Sequence, residues 1–253
     1  MYKKKRIDLF WEYHFSEYLL PEMDAFVRIA TNKIMSIFAD IESEAKEIEK
    51  QALHDLSRRL DPESHDHEYF VERAFEIGLS HYETMMSLSQ STINLLTVGL
   101  YHLFEQHLFL LYRRELLHPS EENDLSLLTW KIMKERFAEL KINFDDIDGF
   151  GTVSNLKLAA DCIKHAEGRA CKKLKERLPT AFNKPGLSDD RLNNLYTDPR
   201  VYLPLMGEDI YITIDIFNGF AEGIRTFWKN FWETVRRDQY EEHWLERYDA
   251  PNW

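Results

Sequence analysis

Glycine, proline and cysteine are all scarce in this chain, and each shortage excludes a class of fold. The 253 residues include nine glycines, eight prolines and two cysteines. The two thiols, Cys162 and Cys171, are too few for a disulfide-stapled scaffold, and no Cys-x-x-Cys spacing indicates a zinc site. We therefore expect a reduced, cytoplasmic protein. Because helix breakers are rare over long stretches, the sequence favours a mainly helical fold.

A long apolar run is also missing. The most apolar window, roughly residues 95–112, is interrupted by His102, Glu105, Gln106 and His107. A membrane span needs about 20 predominantly apolar residues without such interruptions. The basic start of the chain is followed by mixed residues and lacks the apolar segment of a signal peptide. We therefore expect no membrane association.

The chain has fewer basic than acidic residues, although one segment is strongly basic. The formal net charge is −12, from 32 lysines and arginines against 44 acidic residues. A uniformly acidic surface argues against non-specific binding of nucleic acid, because phosphate contacts need lysine and arginine. The basic segment is the exception and holds Lys164, Arg169, Lys172, Lys173, Lys175 and Arg177.

The periodicity of the apolar residues predicts a mainly α fold, a bundle with long antiparallel helices and one small β-hairpin near residues 200–214. We expect a single helical domain over residues 1–253. One helix is predicted from about residue 22 to residue 60, before Pro62, and a second from about 68 to 117. Together they form a long-helix pair over residues 22–118. A region that spans residues 126–180 follows, with a helix at about 126–140 and another from Asn155 to Gly168.

The last part of the chain, residues 199–253, is predicted to hold the hairpin and a C-terminal helix. β-branched and aromatic residues at 201–205 and 210–214 flank the turn of residues 206–209, and Pro204 confines its strand to an edge. The helix is expected at about 215–240, with a core face formed by Ile216, Phe220, Ile224, Phe227, Phe231 and Val235.

A polar stripe in the helix of residues 155–168 is the first candidate for chemistry. Lys157, Asp161 and His165 follow one another at intervals of one turn. The imidazole suits general acid–base catalysis, and Lys157 and Lys164 suit phosphate binding. Asp161 has two open roles, to orient the imidazole or to pair with Lys157. The alternative is a hydrogen-bonded core histidine beside a lysine that reaches out to solvent.

Glu105 is the second candidate, because it lies in the apolar register between Tyr101 and Leu108. A carboxylate on a core face needs a partner, and His165 or Lys157 on a facing helix is the predicted one. The alternative is a partly exposed residue at the edge of the apolar face. The sequence lacks the glycine-rich phosphate loops and the zinc-protease and serine-hydrolase motifs, and no metal site or cofactor is predicted.

Three short segments resemble bacterial HEPN-type proteins, which are helical bundles. They are Tyr101-His-Leu-Phe-Glu105, the region around Trp130, and Asp161-Cys-Ile-Lys-His165 followed by Gly168. The resemblance covers roughly residues 90–180. The HEPN signature places an arginine and a polar residue, often asparagine, a few positions before a histidine. Here Ala160 stands at the arginine position and Asp161 at the polar one.

The resemblance implies a metal-independent ribonuclease that often dimerises so that two signatures face each other, in a toxin–antitoxin or phage-defence system. The expected catalytic residues are His165, Lys164, Asp161 and Glu105. Lys157 and Arg169 are expected to bind the substrate, and Lys157, Lys164 or Arg169 would replace the missing arginine. RNA and a protein partner or second copy are the expected partners. The alternative function is a catalytically inactive helical interaction or assembly subunit that binds a protein partner.

Overall fold

The computed structural model describes residues 6–59, 67–165, 168–183 and 210–241. These residues are mainly helical, as the sequence predicts, and none of them forms a β-strand. The hairpin prediction is not supported. Its first strand, residues 201–205, lies outside the described residues, and residues 210–213 of the second run as irregular chain until a helix begins at Ile214.

The first helical run reaches from Phe10 to Phe38 without interruption. It comprises α1 (Phe10–His14), a π-helical turn (Phe15–Leu19), α2 (Leu20–Ile29), a second π-helical turn (Ala30–Ile34) and a 3₁₀ turn (Met35–Phe38). Its inward face buries Phe15, Leu19, Met23 and Val27. The sequence patterns did not predict that this run begins before residue 22.

The prediction of one helix over residues 22–60 is wrong, because the chain turns at Ala39 and Asp40. The amide of Ala39 bonds to the carbonyl of Ser36 at 3.1 Å, which tightens the end of the first run. The new helix, α3 (Ile41–Arg59), opens with a bond from the Glu44 amide to the Asp40 carbonyl. The turn lets Ile41 and Ala45 become buried.

The longest element is α4 (His67–Leu116), which has 50 residues and is therefore about 75 Å long. Its first half packs along α3. The contact is close at Gly78, where an added Cβ atom would lie 2.9 Å from the Cβ atom of Glu49. The second half of α4 enters the core, where Leu100, Phe104 and Leu108 are fully buried.

The remaining helices complete the body of the molecule. The 3₁₀ turns are Leu125–Leu127, Phe144–Asp146 and Pro179–Phe182, and the α-helices are α5 (Trp130–Ala138), α6 (Phe150–His165), α7 (Arg169–Arg177) and α8 (Ile214–Arg236), which a π-helical turn (Arg237–Glu241) extends. Thr129 and Thr213 cap α5 and α8, since each hydroxyl accepts a hydrogen bond from the amide three residues on. α8 agrees with the predicted C-terminal helix.

An aromatic core surrounds α8 and fixes the position of α6. Phe227, Trp228 and Phe231 of α8 contact the rings of Phe104 and Phe144. The approach of α6 to α8 depends on two glycines.

The first is Gly149, just before α6, which has a φ of 90°. An added Cβ atom there would lie 2.5 Å from the backbone nitrogen of Phe227. The second is Gly223, where an added Cβ atom would lie 2.4 Å from Cγ2 of Thr152.

No helix in the described ranges is both long enough and apolar enough to cross a membrane.

Candidate functional site

Glu105 is held by a tyrosine and a tryptophan. The hydroxyl of Tyr101, one turn earlier on α4, donates to Oε1 of Glu105 at 2.7 Å. The indole nitrogen of Trp130 on α5 lies 2.8 Å from the same oxygen and 2.9 Å from the Tyr101 hydroxyl. The predicted pairing of Glu105 with His165 or Lys157 is therefore wrong. The donors that a half-buried carboxylate needs come from neutral side chains.

The register of α4 and the stacking of α5 on it explain how these three groups meet. Residues 101 and 105 lie one turn apart on α4, which aligns their side chains on one face. Thr129 caps α5, so that Trp130 is the first residue of this helix. The Trp130 ring stacks on Phe104 with an interplanar angle of 22°. The stacking directs the indole N–H toward the Glu105 carboxylate.

The polar stripe of α6 forms a second cluster beside the first. Asp161 accepts a hydrogen bond from Lys157 at 2.8 Å, and the ammonium of Lys164 lies 3.6 Å from its other oxygen. Both ammonium groups lie over the Tyr101 ring, at 5.5 Å for Lys157 and 5.9 Å for Lys164. Distances below about 6 Å are typical of cation–π contacts. Tyr101 thus joins the Glu105 network to the lysine cluster.

Burial raises the pKa of the Tyr101 hydroxyl well above its usual value, and the hydrogen bond to Glu105 and that carboxylate's charge act in the same direction. The negative charge of Asp161 also raises it. The phenol therefore stays protonated and donates to Glu105 at neutral pH. In this state its hydroxyl serves as a hydrogen-bond donor to Glu105.

His165 lies outside the lysine cluster. Its side chain is exposed at the end of α6, and in the described part of the chain it makes no hydrogen bond or ion pair. Lys164 takes the position in the stripe that the sequence predicts for His165. On a helix, a side chain three residues after Asp161 can reach the Asp161 carboxylate as well as one four residues after it. Asp161 therefore pairs with lysines and does not orient the imidazole.

The basic segment continues in α7, directly after α6. Arg169, Lys172, Lys173, Lys175 and Arg177 are exposed there, whereas Leu174 is buried and anchors the helix. α7 begins four residues after His165 and therefore exposes several cations in the segment that follows it. Such a group of cations attracts an anion, although the chain as a whole is acidic.

Glu105 lies in a groove whose lining does not include His165. Glu105 is one of the residues that line a groove of about 680 Å³ between α2 and α4, together with Glu22, His102, His107 and Arg113 among others. Neither His165 nor the lysine cluster belongs to this lining. Glu105 therefore binds the Tyr101 hydroxyl, whereas the two lysines lie over the Tyr101 ring.

Within the groove, His107 is buried and its Nε2 atom lies 3.6 Å from a carboxylate oxygen of Glu22. Burial lowers the pKa of His107, and the charge of Glu22 opposes this shift. No three histidine, cysteine or carboxylate side chains of the described residues are arranged to hold a metal ion.

Tyr101 and Trp130 were not identified as site residues by the spacing of charged groups. The one local signal was the four-residue interval between Tyr101 and Glu105. The resemblance to HEPN-type proteins singled out the region around Trp130 but not its contact with Glu105, because that contact depends on the tertiary packing of α5 on α4. Comparison of the chain with models of protein families, with curated proteins and with solved structures gives no match.

Proposed function

We propose that the chain is a HEPN-like effector of a bacterial phage-defence or toxin–antitoxin system that binds RNA at the end of α6 and cleaves it without a metal ion. The observation that carries the proposal is the exposed imidazole of His165 directly after Lys164, which shares the single carboxylate of Asp161 with Lys157. Two ammonium groups on one carboxylate leave a net positive charge on the turn of α6 that precedes His165, and α7 adds further cations. An RNA phosphate is the ligand that this charge favours.

The chemistry needs a base, an acid and a cation near one phosphate. His165 accepts the proton of a ribose 2′-hydroxyl, whose oxygen attacks the adjacent phosphorus. The bond from phosphorus to the 5′-oxygen breaks, and the ammonium of Lys164 donates a proton to that leaving oxygen. The products are a 2′,3′-cyclic phosphate and a 5′-hydroxyl. Lys157 and Arg169 bind the phosphate, and Asp161 positions the two lysines.

RNA binding tests the first part of the proposal. We expect a fluorescently labelled single-stranded RNA to bind the purified chain, with an affinity that falls as salt rises. Lys157→Gln and Lys164→Gln should each weaken binding several-fold. Lys46→Gln is the matched control, since Lys46 forms a similar pair with Glu42 one turn away, at 2.7 Å, on α3. An equal loss of affinity in all three variants would place RNA binding elsewhere.

The second candidate function is a catalytically inactive interaction or assembly subunit that binds a protein partner. It is favoured by Ala160, which stands at the arginine position of the HEPN signature and is fully buried. An arginine fork is therefore missing from the site, and a lysine binds phosphate as a point charge without bidentate geometry. Absence of RNA cleavage by the wild-type chain, together with stable capture of a partner, would favour this function.

A further inference from the structure

An apolar stripe runs along an exposed face of α4, in the half of that helix that packs against α3. It consists of Val71, Phe75, Leu79, Tyr82 and Met86, whose side chains are between 37% and 53% exposed. Their spacing of four, four, three and four residues keeps all five on one face of α4. The face toward α3 is different, since it carries the buried residues Phe70 and Ala74 and the close contact at Gly78. The apolar stripe is therefore separate from the α3–α4 contact.

Acidic side chains border the apolar stripe. Glu72, Glu76 and Glu83 are exposed and lie beside it, because residues on a helix are rotated by about 100° from one to the next. Arg73 pairs with Glu76 at 2.6 Å, whereas Glu72 and Glu83 have no cationic partner among the described residues. On the other side, Glu49 of α3 lies next to Gly78. The stripe thus has negative charge along the edge formed by Glu72, Glu76 and Glu83.

The charge distribution selects one kind of occupant. A second copy of the chain, paired through the same stripe, would bring glutamates against glutamates, and like charges at such positions are destabilising. RNA and an anionic membrane surface would be repelled in the same way. A helix with apolar residues on one face and lysine or arginine at its borders satisfies both the apolar and the charged parts of the surface.

We propose that the apolar stripe is the docking surface for a basic amphipathic helix of a protein partner. From Val71 to Met86 it extends about 22 Å, which is about four helical turns. Phe75 and Tyr82 are the large aromatic residues along it and anchor the interface, as aromatic residues commonly do. Tyr101 lies about 22 Å farther along α4. This inference names the partner of the interaction function above, and it stands whether or not the chain cleaves RNA.

Synthetic peptides test this surface on the full chain. The first probe is a helical peptide of about 21 residues with leucine on one face and lysine at the borders. The second has the same leucines and glutamate in place of lysine. Titration followed by fluorescence anisotropy should give binding of the lysine peptide, weakening as salt rises, and none of the glutamate peptide.

Variants of the stripe show where the peptide binds. Phe75→Ser and Tyr82→Ser should each lower the affinity for the lysine peptide tenfold or more, which is the size of effect that interface anchors produce. Glu72→Lys and Glu83→Lys should lower this affinity as well. Leu95→Ser is the matched control, because Leu95 is 68% exposed on the opposite side of α4. Circular dichroism checks that each variant is folded.

Three outcomes would overturn the proposal. One is equal affinity for the two peptides, or none for either. Another is a loss with Leu95→Ser as large as with Phe75→Ser. The third is a concentration-dependent dimer that Phe75→Ser abolishes, which would assign the stripe to a second copy. Because none of these measurements uses RNA, a negative result here leaves the proposed RNA function separately testable.

Discussion

The indole nitrogen of Trp130 lies 2.8 Å from Oε1 of Glu105 and ties the start of α5 to the C-terminal part of α4. The same carboxylate oxygen accepts the hydroxyl of Tyr101, whose ring faces the ammonium groups of α6. Three helices therefore meet around one tyrosine. The sequence predicts that Glu105 is catalytic. In the structure its carboxylate accepts a hydrogen bond from Tyr101 and so helps to hold the Tyr101 ring beneath the lysines.

Loss of the Tyr101 hydroxyl should destabilise the fold. Tyr101→Phe leaves Glu105 with one donor in place of two, so we expect the free energy of unfolding to fall by about 1–2 kcal/mol in urea titrations. Tyr18→Phe is the control, since Tyr18 is exposed, and it should have little effect. Equal stability of the Tyr101→Phe variant and the wild type would contradict a stabilising network.

The raised pKa of Tyr101 also predicts alkaline behaviour. Folding raises this pKa above its ordinary value of 10, so the folded state holds the proton more tightly than the unfolded state. The resulting stabilisation is complete below about pH 10 and is lost as pH rises above it. The difference in unfolding free energy between the wild type and Tyr101→Phe should therefore shrink at alkaline pH, and a difference that grows there would contradict the assignment.

The contact between α6 and α8 should not tolerate a methyl group at Gly223. Alanine is the better helix former, by about 1 kcal/mol, but its Cβ atom would lie 2.6 Å from the Cβ atom of Thr152. That atom cannot rotate away, so we expect Gly223→Ala to lower the free energy of unfolding by about 1–3 kcal/mol. Gly219→Ala on the same helix meets no atom within 4 Å and should be neutral or stabilising. The reverse order of the two variants would contradict this helix packing.

Glu121 should make stability depend on acid pH. Both of its oxygens accept hydrogen bonds from Arg136 at 3.0 Å, and one also accepts from the His118 amide. These bonds lower the pKa of Glu121 from 4.5 to about 2. Because the folded pKa is the lower one, the stabilisation is present above about pH 4.5 and is lost as pH falls toward 2.

Unfolding measured at a series of pH values tests this. The stability difference between the wild type and Glu121→Gln should shrink between pH 4.5 and pH 2, as the Glu121 carboxylate takes up its proton. Glu122→Gln, at the neighbouring residue, should follow the wild type throughout. A Glu121→Gln difference that does not change with pH would mean that the ion pair with Arg136 is absent in solution.

The lysine cluster should contribute little to stability. Lys157 and Asp161 are both about one-third exposed, and ion pairs with this exposure contribute about 1 kcal/mol or less. We expect the free energy of unfolding of Lys157→Gln to differ from the wild type by less than about 1 kcal/mol in urea titrations. A larger loss would mean that weaker RNA binding by this variant reflects unfolding.

The sequence was most informative where a pattern is local. The apolar period of α8 predicted residues 215–240, close to the observed Ile214–Arg236, because a buried helical face is visible in spacing alone. The break at Ala39 and Asp40 was missed, since those residues lack the glycine or proline that marks most helix ends.

The candidate site was less predictable. Lys157 and Asp161 meet as an i, i+4 pair should, but spacing does not decide whether Lys164 or His165 completes the set, because both intervals are allowed on a helix. The partners of Glu105 depend on how α5 packs against α4. Local spacing contains no information about that contact.

RNA cleavage by the His165→Ala variant tests the central claim most directly. Purified wild-type chain, with a chelator present, should cut single-stranded RNA to leave 2′,3′-cyclic phosphate ends. His165→Ala should lower the rate by about 100-fold or more, which is the usual contribution of a general acid or base. His54→Ala, at an exposed histidine of α3, should cut at the wild-type rate. Equal rates for His165→Ala and the wild type, or no cleavage by the wild type, would contradict the account.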